Sequence, residues 1–445
     1  MKTISGLIFI LLVSIAAGNN REICSRVDWG FELCEKSGII TRITDKDTSF
    51  KSHLTLELVG DTTIGENAFS TSELEILRLY LPSINTEDRA SSRYLVLFPN
   101  SLAGLPNLRT LDIDNANINL NGVNPLLPVP SLKNLEINNG NLTEVPTKVL
   151  QSLPHLTELS LRGNKINAIH ANDLDNLASL QEIDLSFNEI KNIQPGSFEK
   201  LGALRVLDLS ANAFPAVPEL LKGLTMLKTL HLSDCFDDNG FQPHILNDVP
   251  NLDLLQVAAN NITTLTPGMF DAVWRLRDLS LYGNKIREVP TGVFNRLTSL
   301  KELSLADNEI ETITPGAFGY LTLNSLIMSL NRPLKTILTD TFRGLTLFRL
   351  SLARNSISVI QPKAFNSLRV TSMLDLSQNA LTSVGAHDFS GLKTKALDLS
   401  QNYINSIKSD AFINTDIKEL GLYGTPVKIT DRAKLGLEES VQILK

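Results

Sequence analysis

One phrase of sequence is written three times between Leu156 and Phe214, and it leaves this chain few ways to fold. Leu156, Leu159, Leu161, Asn164 and Ile166 are followed in register by Leu180, Ile183, Leu185, Asn188 and Ile190, then by Leu204, Leu207, Leu209, Asn212 and Phe214. The period is about 24 residues and the pattern is LxxLxLxxNxL. In such a unit the xLxL core predicts a short strand whose leucines face inward while the residues between them face outward. The Asn turns the chain, and its amide satisfies backbone groups that the bend leaves free. One unit buries almost nothing alone, so neighbours must stack on a shared aliphatic core, giving a solenoid with a parallel sheet along one side. Function is to be sought among the outward residues of that sheet.

A chain of 445 residues would ordinarily divide into about three domains. The repeat overrides that expectation. Turns begin near Leu108, Leu132, Leu156, Leu180, Leu204, Leu227, Leu252, Leu276, Leu300, Leu323, Leu347, Thr371, Thr394 and Ile417, at spacings of 23 to 25 residues that leave no room for a linker. Ahead of them Leu56 and Leu58, then Leu74, Leu77, Leu79 and Ile84, mark two degenerate turns. The segment from Thr86 to Pro99 makes the second about ten residues too long, so Arg89 to Tyr94 is expected to loop out as a candidate contact loop. The far half of each turn repeats as well, in Gln194-Pro195-Gly196-Ser197-Phe198, Thr266-Pro267-Gly268-Met269-Phe270 and Thr314-Pro315-Gly316-Ala317-Phe318. There Pro and Gly turn the chain, and Phe198, Phe270, Phe294, Phe318, Phe342, Phe365, Phe389 and Phe412 are expected to return to the core as an apolar spine.

The composition, 42% hydrophobic and 20% charged, excludes a wholly disordered chain. A net charge of -7 argues against nucleic acid or an anionic membrane as partner and leaves a basic partner open. Met1 and Lys2, the apolar run Leu7 to Val13 and the small residues Ala16, Ala17 and Gly18 read as a signal peptide over residues 1–18. That run is too short for the roughly 20 residues a membrane span needs. Residues 19–50 are then an N-terminal cap of irregular sequence, 51–427 a solenoid of about 16 repeats, and 428–445 a charged tail closing the far end. A secreted location without a membrane anchor follows. In that oxidising compartment Cys24 and Cys34 are expected to close a small capping loop, and Cys235, at the Asn position of its own repeat, to stay a buried thiol rather than pair with another chain.

These motifs resemble those of extracellular leucine-rich repeat proteins, most closely the arrays of Toll-like receptor ectodomains, Slit-type ligands and the acid-labile serum subunit. The resemblance implies an α/β leucine-rich repeat solenoid, a curved horseshoe with a concave parallel β-sheet and an irregular or short-helical convex side. It also implies ligand contact on the concave sheet. Two cysteines stand where a four-cysteine N-terminal cap is common, and the relatives' C-terminal cysteine-rich cap and transducing domain have no counterpart here.

Between the two strand leucines of successive turns stand Asp112, Glu136, Ser160, Asp184 and Asp208, with Glu158 and Glu182 beside them. Strands about 4.8 Å apart would line these carboxylates up and attract a basic protein surface. Phe187 and Tyr282 are large residues where small ones would suffice, which makes them candidate anchors. His231 falls in the same column as Asp208, with Ser210 and Ser233 one step along, a superficial Asp, His and Ser set. An open sheet offers it neither an oxyanion pocket nor exclusion of water, so neither an enzyme nor a cofactor or metal is expected. The candidate binding residues are therefore Glu158, Glu182, Asp184, Phe187, Asp208, His231 and Tyr282. Asn141-Leu-Thr143 and Asn261-Ile-Thr263 are glycosylation acceptors, each one residue past its ladder position. The function expected is that of a secreted glycoprotein binding a protein ligand, or a microbial surface glycan, in immunity, adhesion or development. The alternative is a carrier or regulatory subunit of a secreted complex.

Overall fold

The computed structural model describes residues 21–27, 30–46, 52–58, 60–71, 73–81, 93–120, 123–236, 240–319, 321–429 and 432–445. The expected signal peptide lies outside them. So do residues 86–92 of the inserted segment, which include 89–92 of the candidate contact loop. The chain is a parallel-strand solenoid of about 16 turns with very little helix. It forms two compact units, residues 1–215 with 219–227 and residues 216–218 with 228–445.

The first unit opens on three antiparallel strands, Ile23–Val27, Phe31–Lys36 and Ile39–Asp45. The cap is thus a regular meander rather than an irregular segment. Its inward side chains Val27, Phe31, Leu33, Ile40 and Ile43 are buried, and the register shift opposite Cys34 and Glu35, which skips Thr41, lets Ile40 and Ile43 share a face despite their odd spacing. Cys24 lies opposite Cys34 in the register and the two are joined by a disulfide. The last strand of the meander pairs in parallel with Thr62–Ile64, which pairs with Tyr94–Leu97, which pairs with Asn117–Ile118. Tyr94 therefore begins a strand instead of ending a loop, because burial of Leu95 and Leu97 ties the end of the insertion into this lateral sheet. The main ladder of the unit runs through His53–Glu57, Ile76–Tyr80, Thr110–Asp114, Asn134–Asn138, Glu158–Ser160, Glu182–Asp184 and Val206–Asp208, all parallel.

The second unit carries the ladder Thr229–His231, Leu254–Gln256, Asp278–Ser280, Glu302–Ser304, Thr322–Ile327, Thr346–Ser351, Arg369–Asp375, Lys393–Asp398, Asp416–Gly421 and Gln442–Leu444. In the turn expected to begin at Thr371 the inward residue is Val370, which pairs with Leu347 and Thr394. An irregularity between Val370 and Met373 absorbs the offset. The charged tail supplies the last strand itself: Leu437 and Val441 are buried, and Arg432 donates to the carbonyls of Glu439 and Val441 at 2.8 and 2.9 Å.

The ladder asparagines do the work their position predicts. Asn308 Nδ2 donates to Leu305 O in its own turn (3.2 Å) and Leu281 O in the preceding one (2.9 Å), while its Oδ1 accepts from Ile286 N (3.1 Å). Asn164, Asn188 and Asn379 repeat the scheme. Each one stitches two turns, which satisfies backbone groups that would otherwise be buried without partners. Cys235 fits the same slot as a fully buried thiol, donating to Leu232 O at 3.1 Å. The residue just ahead of the ladder position is left-handed in turn after turn, from Asn139 (φ 54°) through Phe187 (55°) and Asp307 (55°) to Gln401 (55°).

On the opposite side the phenylalanines stack. Phe270, Phe294, Phe318, Phe342, Phe365, Phe389 and Phe412 lie ring on ring, with centroids 6.4 Å apart at the start and 5.5 Å at the end, and interplanar angles of 11° or less. Phe198 is buried as expected but has aliphatic equivalents before and after it, Leu174 and Leu221. The aromatic stack belongs to the second unit.

Candidate functional site

Strand pairing in the first unit brings Arg78, Asp112, Glu136, Ser160, Asp184 and Asp208 level with one another, one per turn. The neighbouring row reads Thr110, Asn134, Glu158, Glu182 and Val206. Both rows project outward because the leucines between them are taken up by the core. The expected line of carboxylates is present.

Hydrogen bonding sorts that line into two kinds. Asp184 Oδ1 and Asp208 Oδ1 each accept from the amide two residues on, Ser186 N and Ser210 N, at 2.8 Å. The same bond recurs in the second unit at Asp375 with Ser377 and Asp398 with Ser400, so Asp-Leu-Ser closes the turn where its Asp stands in this row. These aspartates serve the scaffold with one oxygen. Glu158 and Glu182 are exposed, and Glu158 accepts from Asn134 Nδ2 at 2.5 Å. Asp112 and Glu136 are half-buried. Desolvation raises the pKa of Asp112, against the lowering influence of Arg78, whose Nε lies 3.5 Å from the carboxylate. It raises Glu136 as well, with the charge of Asp112 adding to the effect.

Phe187 is the most anomalous side chain in this patch. It is 54% exposed and sits at the left-handed position (φ 55°) that its neighbours fill with Gly163 and Ala211. A bulky residue there is strained by about 1 kcal/mol or more. Arg162 covers its ring, with the guanidinium carbon 4.1 Å from the centroid. The same guanidinium donates to Ser186 Oγ at 2.7 Å and lies 4.0 Å from Asp184. Sequence reasoning missed Arg162. The signal was its place on the outward row one turn ahead of Phe187, where the ladder register sets it against the next turn.

In the second unit the candidates lie apart from one another. His231 Nδ1 is 2.9 Å from Gln256 Oε1, its partner in the strand register. Tyr282 is 46% exposed, and its hydroxyl hydrogen-bonds Asp307, which raises the phenol's pKa. Ile327, Phe348 and Tyr423 are exposed as well, on separate turns. Asn141 and Asn261 are exposed, both left-handed (φ 63° and 56°), and so are Thr143 and Thr263 of their acceptor triplets. Glu22, Cys24 and Cys34 come close enough for a metal, but the two sulfurs are bonded to each other. Among the described residues no helix is long and apolar enough to cross a membrane.

With this geometry in place, comparison with known proteins gives a consistent picture. The leucine-rich repeat family model matches residues 130–190, 178–235, 274–332, 322–379 and 346–404. A comparison with curated proteins returns no match. Among solved structures, a leucine-rich repeat protein of Leptospira interrogans is similar at 21% identity and a TM-score of 0.58, over 78% of this chain and 92% of that one. Drosophila Toll, in its complex with Spatzle, is similar at 19% identity and a TM-score of 0.57, over 92% of this chain and 66% of that one. TLR13, in its complex with ssRNA13, is similar at 19% identity and a TM-score of 0.52, over 89% of this chain and 72% of that one. At these identities the likeness is one of fold. The repeat model covers more than half of the chain, and the asparagine ladder supplies its physical basis: this protein belongs to the leucine-rich repeat family.

Proposed function

We propose that this chain is a secreted, non-enzymatic binding protein that recognises a protein ligand through the outward residues of its first unit's strand ladder. One observation carries the reading: a large, exposed aromatic, Phe187, fills a left-handed position that the neighbouring turns give to Gly163 and Ala211, beside a row of carboxylates. The left-handed backbone is the ladder's own, recurring from Asn139 to Gln401, so what stands out is the large side chain placed on it, and an exposed ring costs solubility. Glu158 and Glu182 would draw in a basic surface, Phe187 would enter an apolar recess on it, and Arg162 holds the ring in place. The roles given to Asp184 and Asp208 shrink to background charge, since both also close their turns.

An extracellular location fits the disulfide, the two acceptor triplets for N-linked glycan at Asn141 and Asn261, and the likeness to Toll, described in its complex with Spatzle. A binding role is also what the repeat family's open scaffold supports, since a ladder face has no closed pocket to exclude water. Of the two kinds of partner the sequence allows, a basic protein suits this patch better than a microbial glycan.

The test places a photo-crosslinking phenylalanine analogue at position 187 or, as a control, at the exposed Trp274 in the full secreted chain, and exposes each to the native fluid. A discrete adduct from position 187 alone, lost when Glu158→Gln and Glu182→Gln are combined, supports the reading. Equal labelling from both positions contradicts it.

A further inference from the structure

Beside Asn141 lies a cleft of about 220 Å³ whose lining includes Tyr94, Asn117, Asn119, Asn141, Thr143 and Glu144. We infer that this cleft seats the N-linked glycan of Asn141 itself, with its first sugar packed on the ring of Tyr94. The inference rests on the reading of Asn141-Leu-Thr143 as a used acceptor.

Three observations converge on it. Tyr94 is 52% exposed at the start of the lateral strand, yet its position is fixed: its amide donates to Asp61 Oδ1 at 2.9 Å, and it pairs with Asn117 in the sheet register. Val96 and Phe98, two and four residues on, are also exposed, at 44% and 38%, so the outer face of this strand is an uncovered apolar stripe. Asn141 takes the left-handed conformation that Asn tolerates, at φ 63°, next to Gly140, whose amide is held by Asn164 Oδ1 at 3.0 Å. The point of attachment is therefore rigid and already part of the cleft wall.

The chemistry of the lining suits a sugar. A pyranose ring has an apolar face of C–H groups that packs on an aromatic ring, and hydroxyl and acetamido groups round its rim. Here an exposed phenol ring meets two asparagine amides and a carboxylate, which offer donors and acceptors for such a rim. A covalently attached sugar also needs no translational entropy to reach the site, so a shallow, open cleft is enough. The second acceptor provides a contrast, because Phe241, an aromatic of the turn before Asn261, is buried.

The experiment uses the full chain made in a glycosylating secretory host. Glycopeptide mass spectrometry first reads occupancy at Asn141 and Asn261, and the time course of glycan release by peptide N-glycosidase F is then followed under native conditions. Release from Asn141 should be slower than from Asn261. Tyr94→Ala should speed it about threefold to tenfold, the range that one ring contact supplies, with the Asn261 rate unchanged as the check on folding. Tyr94→Phe should preserve the slow rate. An occupied Asn141 whose release ignores Tyr94→Ala overturns the packing inference and leaves the acceptor reading intact. A bare Asn141 beside an occupied Asn261 overturns both at this site.

Discussion

The two units are built from one repeat, yet they spend its freedom differently. In the second, seven phenylalanine rings stack from Phe270 to Phe412, and the outward positions between the strand leucines are dominated by small or neutral side chains such as Gln256, Ser280, Ser304, Ser351 and Gly421. In the first, the equivalent buried positions hold Leu174, Phe198 and Leu221, a disulfide and a lateral sheet support the leading turns, and the outward row holds Asp112, Glu136, Asp184 and Asp208. Regularity is the cheapest way to stabilise a stack, because each turn then satisfies its neighbour. On the reading proposed above, the departures from it in the first unit, an outward row rich in carboxylates and a large aromatic where neighbouring turns place Gly163 and Ala211, are where a partner is to be sought.

The sharpest way to break that contrast is through the aromatic stack. Phe318→Ala removes a ring packed between two others and should cost about 3–5 kcal/mol, lowering the melting of the second unit while the first keeps its transition. A loss below about 1 kcal/mol would mean the rings merely fill space. Asn308→Ala comes next, at about 2–4 kcal/mol, since the carbonyls of Leu281 and Leu305 and the amide of Ile286 lose partners together. Urea unfolding of the same unit would read it. Replacing Cys24 and Cys34 by alanine should cost about 2–4 kcal/mol and act on the first unit alone; a reductant that moves only the second unit's transition would contradict the division. Phe187→Gly should leave stability unchanged or raise it by up to about 1 kcal/mol, because relief of left-handed strain offsets the greater freedom of the unfolded chain, while binding of the partner identified by crosslinking, read by pull-down, is lost.

The smallest effect is electrostatic. Asp112 and Glu136 have folded-state pKa values raised above their usual ones, so the folded form takes up their protons more readily than the unfolded chain does. Their ionisation therefore opposes folding at neutral pH, and stability of the first unit should rise as the pH falls from neutral through those raised values. Asp112→Asn combined with Glu136→Gln should flatten that dependence. In the second unit burial raises Asp388 in the same way, against the lowering influence of the Gly385 amide, so Asp388 sets that unit's own background.

Much of this was legible from the repeat alone. Leucine periodicity located the strands, the Asn position located the ladder, and Cys235 could be placed in it, because one residue offset in so regular a stack would turn the leucines outward. The lateral sheet was not legible: Tyr94 to Leu97 lacks the repeat pattern and looked like a looped insertion, whereas its alternation of exposed and buried residues makes a strand. The one-residue slip at Val370 was hidden for a related reason, since an irregularity between paired strands leaves no fixed mark in composition. At the candidate site the line of carboxylates could be read from register. The partition between turn-closing aspartates and exposed glutamates could not, because it depends on which amides the side chains reach.

Hydrogen exchange of the full glycosylated chain, with and without the partner captured at position 187, tests the division of labour most directly. Protection on binding should concentrate in 110–114, 134–138, 158–160, 182–187 and 206–208, with the turns carrying Phe270 to Phe412 unchanged. Protection centred on those phenylalanine turns, with the first unit's strands unaffected, would contradict it.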